Sequence, residues 1–139
     1  MKLTMTDTPT TEDVAEIMAG LKAFNRNFVG DNGRKPLAAF ITGEHGEKLG
    51  GITAYTLGHY LSIELLWVSD TLRHCGAGSK LMQAVEQEAI QRGCKFAQVD
   101  TFSFQARPFY EKLGYQLQMT LENVVDEYHR YYLTKSLMS

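Results

Sequence analysis

The stretch that decides the fold reads LWVSDTLRHCGAGSK, residues 66–80. An apolar run ends at Val68, two glycines follow at positions 76 and 78, and apolar residues then recur every four positions. This order predicts a buried strand, a tight turn and an amphipathic helix. A helix start leaves backbone N–H groups unpaired, and glycines let an anion approach them. The turn therefore predicts a site for a pyrophosphate.

Two common phosphate-binding motifs do not match this turn. A Walker A loop requires GxxxxGK followed by Ser or Thr, whereas residues 78–80 have the glycine, serine and lysine in the wrong order. A dinucleotide fingerprint requires a third glycine at position 81, which is leucine. The pattern that remains is Arg73-x-x-Gly76-x-Gly78. On its own it fits a phosphate site and a purely structural strand-to-helix turn equally well.

The segments on either side predict a mixed α/β fold, a six- to seven-stranded sheet flanked by helices, as a single domain over residues 1–139. A threonine-capped helix starts at residues 10–13. A second helix follows the glycine turn and ends at Gly93, and Glu86 is expected on its solvent-exposed, wet side. Another short helix covers 105–113. The expected strands cover residues 2–6, 37–42, 49–57, 60–68, 95–102, 115–121 and 128–133.

The strand at 60–68 changes its pattern along its length. Leu61, Ile63 and Leu65 alternate with polar or amphipathic residues, which predicts one buried face. The apolar run at 65–68 then breaks the alternation, as a β-bulge or burial on both faces would. Because a helix separates this strand from the next one, the two strands predict a crossover connection.

Composition and charge exclude several classes of protein. The chain has 139 residues and a net charge of −2, so it lacks the basic surface that binds nucleic-acid phosphates. Cys75 and Cys94 form no CxxC pair, which argues against a structural zinc site and a disulfide framework. No apolar run reaches the roughly 18 residues of a membrane-spanning helix, and the N-terminus has no secretory pattern. We therefore expect a cytoplasmic protein that binds neither nucleic acid nor a membrane.

A second segment, ARPFYEKLGY at residues 106–115, accompanies the glycine turn. Together the two resemble the GCN5-related N-acetyltransferase (GNAT) family, whose motifs read (Gln/Arg)-x-x-Gly-x-(Gly/Ala) and, later, Asn-x-x-Ala-x-x-x-Tyr-x-x-x-Gly-(Phe/Tyr). Four residues fall on the second motif: Ala106, Tyr110, Gly114 and Tyr115. Ser103 stands where the family has asparagine, a departure that alters how the pantetheine arm or this loop is held.

The resemblance implies an N-acetyltransferase that moves an acetyl group from acetyl-CoA to a primary amine of a small molecule, peptide or protein, by direct attack in a ternary complex and without a metal. It implies that strands 60–68 and 95–102 are parallel and separate, so that backbone groups of Leu66 and Val68 pair with the pantetheine. The N–H of Leu66 or Trp67 would polarise the thioester carbonyl. The implied acetyl-CoA-binding residues are Leu66, Trp67, Val68, Arg73, His74, Cys75, Gly76, Ala77, Gly78, Ser79, Ser103 and Tyr110.

Two residues are candidates for the catalytic proton transfers. Tyr110 lies close to the CoA sulfur in the family and would protonate the leaving thiolate, since a tyrosine of pKa about 10 keeps its proton at neutral pH. Its structural alternative is an aromatic side chain packed on a short helix. Glu64 would deprotonate the acceptor amine, and its alternative is the polar side of a half-exposed strand. His59 is a second candidate base and fits a turn residue better; ordered water is a further route for the proton.

Two other functions fit the same motifs. A catalytically silent acyl-CoA-binding or sensory domain would keep the turn at 73–79 without needing Tyr110 or Glu64. A toxin-like acyltransferase acting on charged tRNA would need a basic patch, which the sequence lacks. Family members shape the acceptor pocket after the first helix, which here offers residues 25–27 and Asp31, and a homodimer through the C-terminal strands is a family habit. The sequence leaves the acceptor amine and the acyl-chain preference open.

Overall fold

The computed structural model describes residues 1–30 and 33–138, in two compact units divided after position 32. The first unit contains helix α1, Thr11–Asn25, which begins with a capping box. Thr10 Oγ1 accepts the N–H of Asp13 at 3.0 Å, and Asp13 Oδ2 accepts the N–H of Thr10 at 3.2 Å. These bonds satisfy donors that a helix start leaves unpaired, and they confirm the predicted threonine cap.

The strand predicted at residues 2–6 is wrong, because none of the residues before α1 forms a strand. Thr6 Oγ1 accepts the N–H of Thr8 at 3.0 Å. Such a local bond competes with the pairing that a strand would need, and Pro9 supplies no N–H at all. Asp31, predicted to contribute to an acceptor pocket, lies outside the described residues.

The second unit contains a six-stranded sheet and two helices. The strands are β1 (Lys35–Thr42), β2 (Lys48–Leu57), β3 (Tyr60–Val68), β4 (Phe96–Phe102), β5 (Gln116–Val125) and β6 (Tyr128–Ser136). The helices are α2 (Ala77–Gln91) and α3 (Arg107–Lys112), and a short 3-10 helix at Asp70–Leu72 precedes α2. The strand order is β1-β2-β3-β4-β6-β5, with β3 and β4 parallel and every other neighbouring pair antiparallel. This is the predicted mixed sheet, with the smaller of the two predicted strand numbers.

One face of the sheet packs against α2 to form the core. Leu81, Met82, Val85 and Ala89 of this helix are at most 3% exposed. Burial of each large apolar side chain contributes about 1.5–3 kcal/mol. The strand residues buried in the same cluster are Ile52, Ala54, Leu61, Ile63, Ala97, Val99 and Leu133.

A β-bulge at Glu64 changes which residues of β3 face the core. The pairing of β3 with β2 shifts by one residue between Ile63 and Leu65, which leaves Glu64 as the extra residue. Beyond the bulge, Leu66 and Val68 pack against the core, whereas Leu65 is 69% exposed. The predicted burial of Leu65 is therefore wrong, since one extra residue moves every following side chain to the other face.

β3 and β4 separate after three pairs of residues. Residues 60–62 pair with residues 96–98, and no further pairing joins the two strands over the rest of their described lengths. On the sides that face away from each other, β3 continues to pair with β2 and β4 continues to pair with β6. The structure therefore contains the predicted gap, in which residues 64–68 and 99–102 present backbone groups that an extended ligand can pair with.

Candidate active site

The turn before α2 presents a row of backbone N–H groups. His74 and Gly76 are both left-handed, with φ of 66° and 75°, so the chain reverses tightly before the helix. Gly76 is the N-cap and has no side chain that could cap the first turn. The N–H groups of residues 76–79 donate to none of the described residues, as is usual at a helix start. These four donors and the helix dipole suit a phosphate.

The two glycines of this turn are needed for different reasons. At Gly76 an added β-carbon would meet no atom within 4 Å, but the φ of 75° is one that other residues rarely adopt. At Gly78 an added β-carbon would lie 3.1 Å from Cζ of Phe109. The space beside Gly78 is thus filled by a side chain of α3, and the open space beside Gly76 is where an anion can approach.

Arg73, the predicted positive charge of the turn, forms an ion pair with Asp70 at 3.1 Å. Both side chains are mostly exposed, and such pairs contribute about 0–1 kcal/mol. The guanidinium can therefore exchange Asp70 for a phosphate at little cost. Cys75 beside it is an exposed free thiol, whereas Cys94 is buried and burial raises the pKa of its thiol.

Tyr110 lies on α3 with its ring in the core. The residue is 6% exposed, and its ring contacts those of Phe109 and Tyr115 edge-on at centroid distances of 5.1 and 6.0 Å. None of the described residues hydrogen-bonds its hydroxyl, and none of the described polar side-chain atoms is both enclosed and unpaired. The hydroxyl therefore keeps some contact with solvent. Burial, and then the negative charge of Asp100, raise the pKa of Tyr110 to about 12, so the phenol is protonated at neutral pH.

A partly buried carboxylate holds the chain just after α3. Glu86 on α2 accepts the hydroxyl of Tyr115 at 2.7 Å and the ammonium of Lys135 at 2.9 Å. Tyr115 is 2% exposed and the Glu86 side chain is 12% exposed. Burial and the hydrogen bond to Glu86 raise the pKa of Tyr115 far above its ordinary value. The N–H of Tyr115 also donates to the carbonyl of Tyr110 at 3.1 Å, which connects the two tyrosines.

Glu64, the predicted base, is paired with an arginine. Arg34 Nη2 lies 3.1 Å from Glu64 Oε2, with 53% and 43% of the two side chains exposed. The same guanidinium lies 3.7 Å from the centre of the Tyr55 ring. Glu64 stands at the bulge, where β3 separates from β4. The carboxylate is therefore at the start of the gap, where another cation would compete with Arg34 for Oε2.

The β4 side of the gap has a similar pair. Asp100 Oδ2 accepts Arg130 Nε at 2.7 Å and also contacts Nη2 of the same guanidinium. Arg130 in turn lies over the rings of Phe102 and Tyr132, at 5.5 and 5.6 Å from their centres. Each strand that borders the gap thus has a carboxylate neutralised by an arginine. An ammonium that enters the gap would compete with a guanidinium on either side.

Ser103 connects the loop after β4 to β6. Its Oγ accepts the N–H of His129 at 3.0 Å, and its N–H donates to the carbonyl of His129 at 2.9 Å. The His129 side chain accepts the N–H of Asn123 at Nδ1, at 3.1 Å. Ser103 therefore holds the loop that leads to α3, and its contact with the cofactor stays a prediction.

The other predicted residues lie on elements beside the gap. Leu66, Trp67 and Val68 follow the bulge along β3. The carbonyl of His59 accepts the N–H groups of Lys95 and Phe96, at 2.8 and 3.0 Å. This makes His59 a turn residue at the closed end of the parallel pair, away from the point where the strands separate.

Several residues of the site were missed by sequence reasoning. Arg34 and Asp100 belong to no motif, and only their positions in the fold bring them to the gap. Glu86 was expected on the wet side of α2, and the prediction is wrong. A usable signal existed, because Glu86 lies four residues after Met82 and three before Ala89, and both of these are buried on α2.

None of the described residues forms a group of His, Cys, Asp and Glu that could hold a metal. No helix in the described part of the chain is both long and apolar enough to cross a bilayer. A cavity of about 630 Å³ lies away from the gap, at the paired end of β3 and β4, where Tyr60, Phe96 and polar residues of β5 and β6 line it. The candidate site is therefore the gap and not this cavity.

Residues 5–115, which include both motifs, match the model of the Acetyltransferase (GNAT) family. The chain is 35% identical over 107 residues to blasticidin-S acetyltransferase of Streptomyces morookaense, covering 74% of this chain and 79% of that one. It is 30% identical over 115 residues to an acetyltransferase of Agrobacterium fabrum, covering 83% and 84%. A solved structure from Agrobacterium tumefaciens, assigned to the acetyltransferases, superposes with a TM-score of 0.91 at 27% identity, over 98% of this chain and 99% of that one.

Proposed function

This chain belongs to the GNAT family of acetyltransferases, and we propose that it transfers an acetyl group from acetyl-CoA to a primary amine of a small molecule. One observation carries the proposal. On one side of the gap is β3, which leads to the N–H groups of residues 76–79 that donate to none of the described residues. On the other side is β4, whose Asp100 lies close enough to the protonated Tyr110 to raise its pKa. An extended ligand with a pyrophosphate at one end and an acyl group at the other suits this arrangement.

Acetyl-CoA would supply the acetyl group as an activated thioester. The N–H groups of residues 76–79 would bind its pyrophosphate, and Arg73 would leave Asp70 to add a second positive partner. The backbone of residues 66–68 would pair with the pantetheine amides as an added strand does. The N–H of Leu66 or Trp67 would donate to the thioester oxygen, where negative charge develops during attack.

Two side chains would manage the protons. Glu64 would bind the acceptor ammonium in place of Arg34 and accept its proton, so that the neutral amine can attack the acyl carbon. As the carbon–sulfur bond breaks, the Tyr110 hydroxyl would give its proton or a hydrogen bond to the leaving sulfur. Because burial raises the pKa of Tyr110 to about 12, a tyrosinate formed in this way would regain a proton rapidly from solvent.

Two observations support a small cationic acceptor. The relative from Streptomyces morookaense is named for acetylation of blasticidin-S. In this chain, carboxylates border the gap on both sides, Glu64 on β3 and Asp100 on β4. An ammonium that displaced either arginine would meet a carboxylate, whereas an anionic acceptor would have to draw a guanidinium away from its carboxylate and would then leave that carboxylate unpaired beside it.

The test is an assay of CoA release with a thiol reagent, run with acetyl-CoA and a panel of blasticidin-S, aminoglycosides, polyamines and lysine peptides. We expect at least one small cationic amine to be acetylated, with a product heavier by one acetyl group. Turnover of lysine peptides alone would reject the small-molecule acceptor. Tight CoA binding by calorimetry with no turnover of any amine would favour the silent acyl-CoA-binding domain instead.

A further inference from the structure

We infer that Glu86, Tyr115 and Lys135 form a positioning triad, which holds the Tyr110 hydroxyl at a fixed place relative to the glycine turn of α2. The inference rests on the proposed role of Tyr110 at the leaving sulfur and adds three residues that do not themselves touch the reacting atoms. The carboxylate of Glu86 joins three separate elements: α2, the chain after α3, and β6.

The triad is well enclosed and has strong bonds. Glu86 Oε2 accepts the Tyr115 hydroxyl at 2.7 Å, and Oε1 accepts Lys135 Nζ at 2.9 Å. The Lys135 ammonium also lies 5.5 Å from the centre of the Tyr115 ring, and its aliphatic chain covers Gly114. Hydrogen bonds to charged groups are stronger and shorter than neutral ones, and partial burial protects them from competition by water.

Tyr115 transmits this restraint to Tyr110 through the backbone. Gly114, with φ of 98°, turns the chain sharply after α3 and brings Tyr115 back to the last turn of this helix. The Tyr115 N–H then donates to the Tyr110 carbonyl, and the two rings meet edge-on. A shift of the Tyr115 ring would therefore displace the last turn of α3 and the phenol of Tyr110 with it.

The other end of the restraint is α2 itself, which also carries the glycine turn. At about 1.5 Å per residue, one rigid helix places Glu86 about 12 Å beyond Gly78. Phe109 of α3 packs beside Gly78 at the start of α2, and Tyr115, just after α3, bonds to Glu86 further along α2. The chain around α3 is therefore held against α2 at two positions. A ligand held by its pyrophosphate at the turn and by its sulfur at Tyr110 tolerates little change in this separation, since small misplacements of reacting groups cost large factors in rate.

A double-mutant cycle separates positioning from ordinary stabilisation. Tyr115→Phe removes one hydroxyl and keeps the ring, and Tyr110→Phe removes the group that is positioned. With Tyr110 present, we expect Tyr115→Phe to lower kcat about tenfold and to change the Kd for CoA less than about twofold. In the Tyr110→Phe background the same change should lower kcat less than about twofold. Equal losses in both backgrounds, or no loss in either, would overturn the inference.

Variants of the carboxylate test the same point. Glu86→Gln keeps an oxygen that can accept the Tyr115 hydroxyl, so it should retain more activity than Glu86→Ala. Glu88→Gln is the matched control, because Glu88 lies on the same helix but pairs with Arg92 at its exposed side. It makes the same charge change and should leave kcat unaltered. A loss of kcat with Glu88→Gln as large as with Glu86→Gln would also count against the triad.

A spectroscopic readout does not depend on turnover. With tyrosines labelled at the ring Cζ carbon, the Tyr110 resonance is assigned by its disappearance in Tyr110→Phe. We expect Tyr115→Phe to shift or broaden this resonance and Glu88→Gln to leave it unchanged. An unmoved Tyr110 resonance in Tyr115→Phe refutes the positioning. Full turnover by Tyr110→Phe refutes instead the acid role in the proposed function, so the two failures are distinguishable.

Discussion

Phe109 occupies the place that a side chain at Gly78 would need, with its Cζ 3.1 Å and its Cε1 3.3 Å from an added β-carbon. The turn at the start of α2 is therefore a packing surface for α3 as well as a row of N–H donors. At Gly76 an added β-carbon would point into open space, and only the backbone conformation requires glycine. The same substitution at these two positions should consequently have different effects.

Gly78→Ala should lower the free energy of unfolding by up to about 2 kcal/mol, because overpacking of the new methyl group against Phe109 costs about 1–3 kcal/mol and the higher helix propensity of alanine offsets about 1 kcal/mol of this. Weaker CoA binding should follow only from the displaced α3. The double variant Gly78→Ala with Phe109→Leu should regain stability and CoA affinity together, as measured by urea unfolding and calorimetry. If stability returns while CoA affinity stays low, the methyl group blocks the phosphate directly.

Gly76→Ala is the companion change at the other glycine. It should cost about 1–2 kcal/mol of stability, because a left-handed conformation is strained for alanine. Its methyl group would stand where the phosphate approaches, so CoA affinity should fall as well. Phe109→Leu should rescue neither effect. Rescue of CoA binding by Phe109→Leu would mean that the phosphate does not lie beside Gly76.

The Arg34–Glu64 pair should control affinity for the acceptor. Arg34→Met removes the cation that competes for Glu64, and an exposed pair is worth up to about 1 kcal/mol. We therefore expect KM for a cationic amine to fall by up to about fivefold. Glu64→Gln should instead lower kcat/KM, with partial recovery at high pH as more amine arrives uncharged. Steady-state kinetics across pH measures both.

Lys48→Met is the matched control for the arginine. Lys48 lies 5.1 Å from the centre of the Phe40 ring, so this variant also removes one cation from an exposed aromatic ring of the sheet. It should leave KM for the amine unchanged. If Lys48→Met and Arg34→Met alter KM equally, the effect is one of overall charge. If the pH profile of Glu64→Gln superimposes on that of the wild type, Glu64 is only a surface residue.

The pH dependence of the reaction should show one rising limb. Burial and Asp100 raise the pKa of Tyr110 to about 12, so its proton remains in place up to about pH 11. Activity should increase as the acceptor amine loses its proton and should not fall before about pH 10. Tyr110→Phe should lower kcat by about 10²–10⁴-fold across this range. A falling limb below pH 10 that vanishes in Tyr110→Phe would contradict the raised pKa.

Tyr115 should make stability depend on pH in the alkaline range. Burial and the bond to Glu86 raise the pKa of its phenol in the folded protein, whereas it is about 10 in the unfolded chain. Its contribution is therefore complete below about pH 10 and is lost as the pH rises above that value. Tyr115→Phe should be less stable than the wild type at pH 8, and the difference should shrink by pH 11. Urea unfolding at both pH values measures it, and a constant difference would reject the linkage.

The sequence predicted most of the sheet because its signals are local. Val68, Gly76 and Gly78 mark a strand end, a turn and a helix start within a dozen residues or so, and each element needs little beyond its own pattern. The crossover connection followed from the helix between its strands, and the parallel arrangement was implied by the resemblance to the GNAT family. The absent strand at residues 2–6 shows the opposite case, where a weak pattern had no partner strand to stabilise it.

Side-chain partners were less predictable because they depend on the finished fold. Glu86 finds Tyr115 and Lys135 at 29 and 49 positions along the chain. Arg34 likewise meets Glu64 across 30 positions. The break in alternation at residues 65–68 indicated a β-bulge, and the structure has one, but the same pattern also fitted burial on both faces and did not place the extra residue at Glu64. Long-range packing therefore determined what local periodicity could not.

The outer edge of β5, the last strand of the sheet, is poorly suited to pairing with a strand of another sheet. The pairing of β5 with β6 shifts twice along its length, and Asn123 within it is left-handed with φ of 51°. The acidic residues Glu122 and Asp126 lie on either side of Asn123 along the chain. An incoming strand needs a regular, uncharged row of hydrogen-bonding groups, so this edge is a poor template for aggregation. At the opposite edge, Pro36 in β1 withholds a donor in the same way.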